Sequence, residues 1–302
     1  MPYKTFFTGQ HTDLLSKAEK PDHILSIEDG PNRLDSIVQS ILNKEEIFDD
    51  IRCVMVQGDT SSAFATALAA FHRKIPVAHL EAGLRTYDKY SPYPEEFNRC
   101  AISALAEIHL CPTTTSASNL EKEGRKNIHV VGNTVLDNLL DVETTETNKV
   151  IVTLHRREKH DKIKDWFLTV NQLATRYNDL EFVLPIHPNP AVKKHQHLLS
   201  NVTVVDPMEH GQFISELAAC KYIITDSGGV QEEAAFLKKP CIVCRDFTER
   251  VEGLGTFSVL CASPKELFGL VDWATGINLD YKQCPYGDGR SSQYICDLLN
   301  NI

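Results

Sequence analysis

The sequence predicts an α/β protein of two domains, each built on a parallel β-sheet. Short apolar runs alternate with helical patterns along the chain, which is typical of parallel βαβ units. A polar stretch at 141–149 (DVETTETNK) interrupts this alternation, which restarts at residue 150. A chain of 302 residues, 42% of them hydrophobic, is long enough to form two cores. We therefore place the domains at 1–142 and 143–302.

The individual elements follow from the same alternation. In the first half, strand-like runs lie at 53–56, 77–80, 108–111 and 128–131, with helical patterns at 61–72, 95–106 and 115–123. In the second half, apolar runs lie at 150–154, 182–186, 202–205, 222–225 and 241–244. A helix is predicted to begin near Gly229, and a C-terminal helix is predicted at 291–299, within the second domain.

Composition excludes several classes of protein. The net charge is −10 and no Lys/Arg-rich tract interleaves with aromatic residues, so nucleic acid is not an expected partner. Neither a signal peptide nor a membrane span is evident, which predicts a cytoplasmic protein without a membrane partner. Nine irregularly spaced cysteines indicate reduced thiols. Cys241 and Cys244 form a CxxC, but no second pair completes a zinc tetrad, so no metal is expected.

Acidic residues follow successive strand-like runs of the first half. Asp59 and Glu81 each come after such a run, while Glu95 and Glu96 open a helix that carries Arg99 one turn later. Loops at the carboxyl ends of parallel strands bind ligands in doubly wound sheets. Asp59 could instead simply cap the helix at 61–72. Because the pattern recurs at Glu81, where no long helix follows, we interpret these carboxylates as acid/base groups.

In the second half, the sequence TDSGGVQEEA runs from a strand directly into a helix. Ser227, Gly228 and Gly229 lie at the helix start, where glycine permits close approach and free N–H groups favour a phosphate. Glu233, one turn later, is placed to accept hydrogen bonds from ribose hydroxyls. The alternative is an ordinary glycine-containing turn.

Further basic residues follow other strands of this half. His155 directly follows the run at 150–154 and precedes two arginines, whose guanidinium groups match phosphate oxygens. Arg250 lies in RDFTER, where an ion-paired loop explains the charges equally well. His187 lies between prolines in PIHPNP, either bearing on a ligand or turning the chain.

Nine motifs stand in one order along the chain: QGDT, HLEAGLRT, YSPYPEEFNR, GNTVLDNL, LHRRE, PIHPNP, TDSGGVQEEA, RDFTER and PYGDGRSS. Together they resemble the non-hydrolysing UDP-N-acetylglucosamine 2-epimerases, from Thr8 to the C-terminus. The resemblance implies two Rossmann-like domains of the GT-B type, with a ligand cleft between them and UDP held mainly by the second domain. It also implies a homodimer that interconverts UDP-GlcNAc and UDP-ManNAc without a cofactor or metal.

The family mechanism implies roles for the residues singled out above. A base removes the C2 proton while the C1–O bond to UDP breaks, and UDP then adds back to the resulting 2-acetamidoglucal. The acid/base carboxylates would be Asp59, Glu81 and Glu95, and His155 would contact the diphosphate and assist departure of UDP. Substrate-binding positions implied by the motifs are Arg99, Met208, Phe213, Ser227, Gly228, Gly229, Glu233 and Arg250, with Phe213 facing the uracil near the Met208 backbone.

The chain also departs from the family pattern. Family members begin with a strand and a Gly-Thr-Arg-Pro-Glu loop, whose Arg and a following Lys bind the diphosphate, whereas this chain begins at KTFFTGQH, which resembles the second strand. We therefore expect the first domain to lack its usual first strand, roughly one βα unit of about 30 residues. Gln10 and His187 match an activator site of bacterial members, but Asp13 replaces the usual amide. Val251 stands where the family usually has proline.

Three other functions are compatible with parts of this pattern. A hydrolysing 2-epimerase would release free ManNAc and UDP, which requires water at the glycal. A GT-B glycosyltransferase needs an acceptor and less acid/base machinery than Asp59, Glu81 and Glu95 would supply. A catalytically silent UDP-sugar-binding homologue would bind UDP through the second domain without turnover.

Overall fold

The fold is described from a computed structural model that covers residues 2–10, 20–28, 30–154 and 163–300. It divides into two compact units, Met1–Asn133 with Ser292–Ile302, and Thr134–Ser291. The boundary between the units, after Asn133, lies before the polar stretch 141–149 at which we predicted the domain boundary. Helix α10 (Ser291–Asn300), which we predicted within the second domain, packs with the first unit. Its Ile295 is buried among strand residues such as Leu80 and Leu110.

The first unit contains two parallel sheets among its described residues. Strands β1 (Phe6–Phe7) and β2 (His23–Ile24) pair with each other, and a four-stranded sheet follows. That sheet has the order β3 (Val54–Gln57), β4 (Val77–Leu80), β5 (Ile108–Cys111) and β6 (Ile128–Val130). The helices of this unit are α1 (Arg33–Leu42), α2 (Ser61–His72), α3 (Glu95–Leu105) and α4 (Thr114–Lys122).

Burial along these strands follows their pairing. Strands β4 and β5 pair on both sides and are buried at every position. Strand β3 pairs only with β4 among the described residues, and Met55 within it is exposed. The expectation that the first domain lacks its usual first strand stays a prediction.

Helix α2 shows how local sequence positions the first site. Thr60 caps it, since its hydroxyl accepts a hydrogen bond from the Ala63 backbone N–H at 3.2 Å. Alanines 65, 67, 69 and 70 are fully buried, so the helix lies close against its neighbours. The start of α2 therefore fixes the turn that leaves β3.

The second unit is built on one six-stranded parallel sheet. Its strands are β7 (Lys149–Thr153), β8 (Glu181–Pro185), β9 (Thr203–Val205), β10 (Tyr222–Thr225), β11 (Cys241–Val243) and β12 (Ser258–Leu260). The order across the sheet is β12-β11-β10-β7-β8-β9, so the direction of winding reverses between β7 and β10. Doubly wound sheets bind ligands at this switch point, outside the carboxyl ends of the strands.

Helices cover both faces of this sheet. They are α5 (Ile163–Arg176), α6 (Pro190–Lys193), α7 (His210–Ala219), α8 (Gly228–Phe236) and α9 (Leu267–Gly276). Trp166 of α5 is 1% exposed, and Trp273 of α9 packs against the same apolar cluster. These are the two tryptophans of the chain.

All nine cysteines are free thiols. Cys241 lies within β11 and Cys244 directly after it, both fully buried, and burial raises the pKa of each thiol. Within the described ranges, no helix combines the length and apolar character that crossing a membrane requires.

Candidate functional site

Asp59 lies in the turn between β3 and α2 and is held there by helix α3. Its carboxylate Oδ2 accepts hydrogen bonds from Arg99 Nε at 2.9 Å and Nη2 at 2.6 Å. The Asp59 backbone carbonyl accepts from Asn98 Nδ2 at 2.9 Å. Because Thr60 caps α2, the alternative that Asp59 merely caps this helix is wrong. Its carboxylate is oriented by a residue 40 positions away in sequence.

Arg99 also binds a second carboxylate. Its Nη1 donates to Glu96 Oε2 at 2.9 Å, and Glu96 Oε1 accepts from the Tyr87 backbone N–H at 2.8 Å. The side chains of Arg99 and Glu96 are only 6% and 2% exposed, so the charges compensate each other in a buried setting. Arg99 thus links α3 to the loops bearing Asp59 and Tyr87, and its predicted contact with substrate stays a prediction.

Glu95 differs sharply from its neighbour Glu96. Its Oε2 is buried and, among the described residues, has no hydrogen-bond partner. Buried polar atoms are nearly always paired, and exceptions point to a functional role. Glu96 is engaged by protein groups, whereas Glu95 has an unpaired oxygen, and its predicted acid/base role stays a prediction.

Glu81 follows β4 directly and has a left-handed backbone, with φ of +62°. Such a conformation is costly for a residue with a side chain and is found where geometry matters for function. Its Oε1 accepts from Gln57 Nε2 at 2.5 Å. A Cβ added at Gly58 would lie 3.8 Å from Glu81 Oε2, so the Glu81 carboxylate lies beside the turn that carries Asp59.

The loop after Glu81 is anchored by Gly83 and Arg85. Gly83 has φ of +89°, and a Cβ there would meet the Ser116 carbonyl oxygen at 2.2 Å. Arg85 Nε and Nη2 donate to the two Glu123 carboxylate oxygens at 2.7 and 2.8 Å. The pattern EAGLRT therefore encodes a turn that only glycine can make and an arginine that fixes it.

His79 supports the same turn from within the sheet, a role that the sequence analysis missed. Its Nε2 lies 2.9 Å from the Gly58 carbonyl oxygen, and burial lowers its pKa to about 4. Because a carbonyl only accepts, the neutral ring carries its proton on Nε2 and donates it to Gly58. The strand-like run VAHL gave no signal beyond a polar residue in an apolar segment.

In the second unit, Ser227, Gly228 and Gly229 lie at the start of α8. Ser227 is the N-cap residue, but its side chain makes no capping hydrogen bond. Helix N-termini present unpaired backbone N–H groups and a positive dipole end, which favour an anion. Nearby, Thr225 Oγ1 lies 2.6 Å from Thr153 Oγ1, joining β10 to β7 at the switch point. His155, which follows β7, lies outside the described residues.

Arg250 reaches this helix end. A Cβ added at Gly228 would lie 3.1 Å from the guanidinium carbon of Arg250. Arg250 Nε donates to Glu232 Oε1 at 3.1 Å, its Nη1 pairs with Glu249, and Glu249 also pairs with Arg245 at 3.1 Å. The ion-paired loop is therefore present, and it places a guanidinium at the proposed anion site.

Glu233 lies one turn further along α8 and is 6% exposed. Burial raises its pKa, and His210 Nε2 lies 3.3 Å from its Oε1. Met208 and Phe213, around the start of α7, are half-buried against the core of this unit. Their predicted contacts with the nucleotide stay predictions, as does the ribose contact of Glu233.

The residues predicted for an activator site lie in different units. Gln10 Oε1 accepts hydrogen bonds from the Ser62 hydroxyl and from the Ser62 backbone N–H, the latter at 3.3 Å. His187 is exposed, and its Nδ1 accepts from the Asn189 backbone N–H at 3.2 Å. Their joint role in an activator site stays a prediction. Across the described ranges, no group of three potential metal ligands occurs.

Comparison with known proteins gives a consistent result. A family model described as UDP-N-acetylglucosamine 2-epimerase matches residues 2–300. The UDP-N-acetylglucosamine 2-epimerase of Bacillus subtilis (strain 168) is 37% identical, over 97% of this chain and 86% of its own length. That of Neisseria meningitidis is 36% identical, over 98% and 91%.

Solved structures agree with these sequence matches. The crystal structure of UDP-GlcNAc 2-epimerase from Neisseria meningitidis bound to UDP-GlcNAc has a TM-score of 0.83 at 34% identity, covering 97% of this chain and 90% of that one. The Methanocaldococcus jannaschii enzyme in complex with UDP-GlcNAc and UDP has a TM-score of 0.80 at 27% identity, covering 100% and 92%.

Proposed function

Because the chain belongs to the UDP-N-acetylglucosamine 2-epimerase family, we propose that it interconverts UDP-GlcNAc and UDP-ManNAc, or a close UDP-HexNAc. The predicted fold of two α/β domains of the GT-B type is confirmed by the solved structures. The relatives are named for this isomerisation, and the Neisseria structure holds UDP-GlcNAc.

The observation that carries the proposal is that three carboxylates of the first unit are held in three different ways. Asp59 is oriented by Arg99, Glu81 is held in a left-handed backbone beside Gly58, and Glu95 keeps a buried oxygen unpaired. Epimerisation requires one group to take a proton from C2 and another to return it on the opposite face. Three differently held carboxylates can supply both groups.

The reaction balances without a redox step. One carboxylate takes the C2 proton, the C2–H electron pair forms the C1=C2 double bond, and the C1–O bond breaks toward the UDP oxygen. In the return step that UDP oxygen attacks C1, and C2 receives a proton from the other face. Negative charge on the departing diphosphate would be stabilised by the start of α8 and by Arg250, with His155 as a further predicted contact.

An NMR time course with UDP-GlcNAc in deuterated buffer tests this function. We expect the C2 proton signal to disappear and UDP-ManNAc to appear. Accumulation of free ManNAc would instead indicate the hydrolysing reaction. UDP binding without exchange at C2 would indicate the silent homologue and contradict the proposal.

We further propose that the chain acts in the cytoplasm and that, as the resemblance implies, it forms a homodimer. The odd number and irregular spacing of the nine cysteines support a reducing compartment. Sedimentation velocity tests the assembly, and a species with twice the mass of one chain is the expected result. A single species with the mass of one chain at micromolar concentration would contradict it.

A further inference from the structure

The reaction proposed above assigns no role to the segment PYGDGRSS. Its tyrosine, Tyr286, is nevertheless buried in the second unit. Tyr286 is 1% exposed. Its hydroxyl donates to the Arg250 carbonyl oxygen at 3.0 Å and accepts from the Gly253 backbone N–H at 3.0 Å. One hydroxyl thus closes both ends of the short 3₁₀ turn Val251–Gly253.

This turn begins at the residue whose guanidinium lies over Gly228. On the other side of Arg250, its backbone N–H donates to Thr248 Oγ1 at 3.2 Å, and Thr248 Oγ1 donates to Gln231 Oε1 at 2.9 Å. Gln231 Nε2 in turn donates to the Ser227 carbonyl at 3.1 Å. A chain of hydrogen bonds therefore ties the Arg250 backbone N–H to the start of α8, and Tyr286 binds the Arg250 carbonyl.

Gly253 leaves the space that the tyrosine hydroxyl occupies. A Cβ at Gly253 would lie 2.8 Å from Tyr286 Oη, while the next closest atom, Ser258 Oγ, would be 3.4 Å away. The backbone of Gly253 does not lie in the left-handed region, so space and not conformation requires glycine there. The Tyr286 hydroxyl is thus the atom with which a Cβ at Gly253 would clash most closely.

We propose that Tyr286 is a positioning residue that sets Arg250 for the diphosphate of the nucleotide. The proposal rests on the proposed function, because it takes a nucleoside diphosphate as the ligand at the start of α8. A guanidinium binds phosphate through donors in a fixed fork, so its position determines the strength of the contact. Without the Tyr286 bonds, the turn Val251–Gly253 loses the contact that fixes the Arg250 carbonyl, while the contacts of Arg250 with Thr248, Glu232 and Glu249 remain.

The test compares UDP with uridine, which lacks the diphosphate. In Tyr286→Phe, we expect the Kd for UDP to rise about tenfold and the Kd for uridine to stay unchanged, both measured by ligand-observed NMR titration. The matched control is Tyr222→Phe. Tyr222 is also buried in this unit, and within the described ranges its hydroxyl has no hydrogen-bond partner. We expect this control to change neither Kd.

A second substitution tests the same contact from the side of Gly253. Gly253→Ala should weaken UDP binding as Tyr286→Phe does, because the methyl group would displace the hydroxyl. The double variant Gly253→Ala/Tyr286→Phe should be no weaker than Tyr286→Phe alone, since the atom that the methyl group meets is gone. In an Arg250→Ala background, Tyr286→Phe should have no further effect on UDP.

Three outcomes would overturn the inference. An unchanged Kd for UDP in Tyr286→Phe would show that the hydroxyl does not position Arg250. Equal weakening of UDP and uridine would show a general structural role. Failure of the parent chain to bind UDP would overturn the proposed function as well, whereas normal parent binding confines a failure to the role of Tyr286.

Discussion

The loops that carry Asp59 and Glu81 in the first unit and the start of α8 in the second unit are held in place by different kinds of contact. In the first, side chains are held by other side chains, as Arg99 holds Asp59 and Gln57 contacts Glu81. In the second, backbone N–H groups and the open space at Gly229 form the predicted anion site, and the Arg250 guanidinium lies close to Gly228. Activity that depends on the first site should therefore be most sensitive to removal of a partner side chain or of a titratable group. Ligand binding at the second site should be most sensitive to substitutions that add side-chain volume.

The largest expected effect tests the strained backbone of the first site. Glu81→Gly should lower kcat by about 10²–10⁴-fold, as loss of an acid/base group does. The same change should stabilise the fold by about 1 kcal/mol, since glycine adopts φ of +62° without the steric cost. Measurements of kcat and of urea unfolding check both parts.

Lys74 provides the control for Glu81. It is exposed at the end of α2 with φ of +58°, so Lys74→Gly should give a similar gain in stability with unchanged kcat. An active Glu81→Gly variant would remove Glu81 from the acid/base set. A loss of stability in that variant would show that the Gln57 contact outweighs the backbone strain.

The next largest effect is expected on substitution of Arg99, which pairs with the carboxylates of Asp59 and Glu96. Arg99→Met should lower the free energy of unfolding by about 3–5 kcal/mol, because the buried Glu96 carboxylate would lose its cationic partner and keep only the hydrogen bond from the Tyr87 backbone N–H. The control is Lys149→Met, which breaks a half-exposed pair with Glu216 and should cost no more than about 1 kcal/mol. Equal losses in urea unfolding would contradict the distinction.

Acid should act in opposite directions on the two units. Burial lowers the pKa of His79 to about 4, below its ordinary 6.5, so unfolding takes up a proton between these values. The stability contributed by neutral His79 is present above pH 6.5 and is lost as the pH falls toward 4. Burial raises the pKa of Glu233, whose contribution is largest at low pH and is lost as the pH rises through its folded-state pKa.

Urea unfolding between pH 4.5 and 7.5 measures this effect. The pH slope due to His79 should approach about 1.4 kcal/mol per pH unit, the value for uptake of one proton. His79→Gln should show a correspondingly shallower slope, and His72→Asn, a change at an exposed position, should match the parent. A parental slope in His79→Gln would assign the acid sensitivity to other groups.

The smallest effect sharpens the role of glycine in the second site. A Cβ at Gly229 or at Gly269 would have no neighbour within 4 Å. Both lie in helices, so Gly229→Ala and Gly269→Ala should each stabilise the fold by up to about 1 kcal/mol. Only Gly229→Ala should weaken UDP binding, because its open space is where we propose that phosphate lies. Equal UDP affinity in the two variants would contradict that placement.

Much of the fold follows from the sequence because apolar runs and caps are local signals. The predicted bounds of α2, β4 and β5 agree with the structure, and Thr60 marks the start of α2. The two-residue strands β1 and β2 are too short to show any alternation. Helix α5 was not predicted, although its buried residues recur at helical spacing: Ile163, Trp166, Phe167, Val170, Leu173 and Ala174.

The contacts among the site residues could not be predicted from the sequence where they join distant segments of the chain. Arg99 is four residues after Glu95 and three after Glu96, and either spacing permits an ion pair on a helix. Only the packed structure shows that Glu96 takes this contact and that Glu95 keeps an unpaired oxygen. The bond between Arg99 and Asp59 joins distant segments and leaves no local signal.

Both tryptophans lie in the apolar core of the second unit, and this determines what optical spectroscopy can report. Intrinsic tryptophan emission will follow loss of packing around Trp166 and Trp273, while unfolding of the first unit contributes no indole signal of its own. Far-ultraviolet circular dichroism, in contrast, sums the helices of both units. If the two probes give different midpoints in one urea titration, the units unfold separately, and the variants at Glu81, Arg99 and His79 must be followed by dichroism.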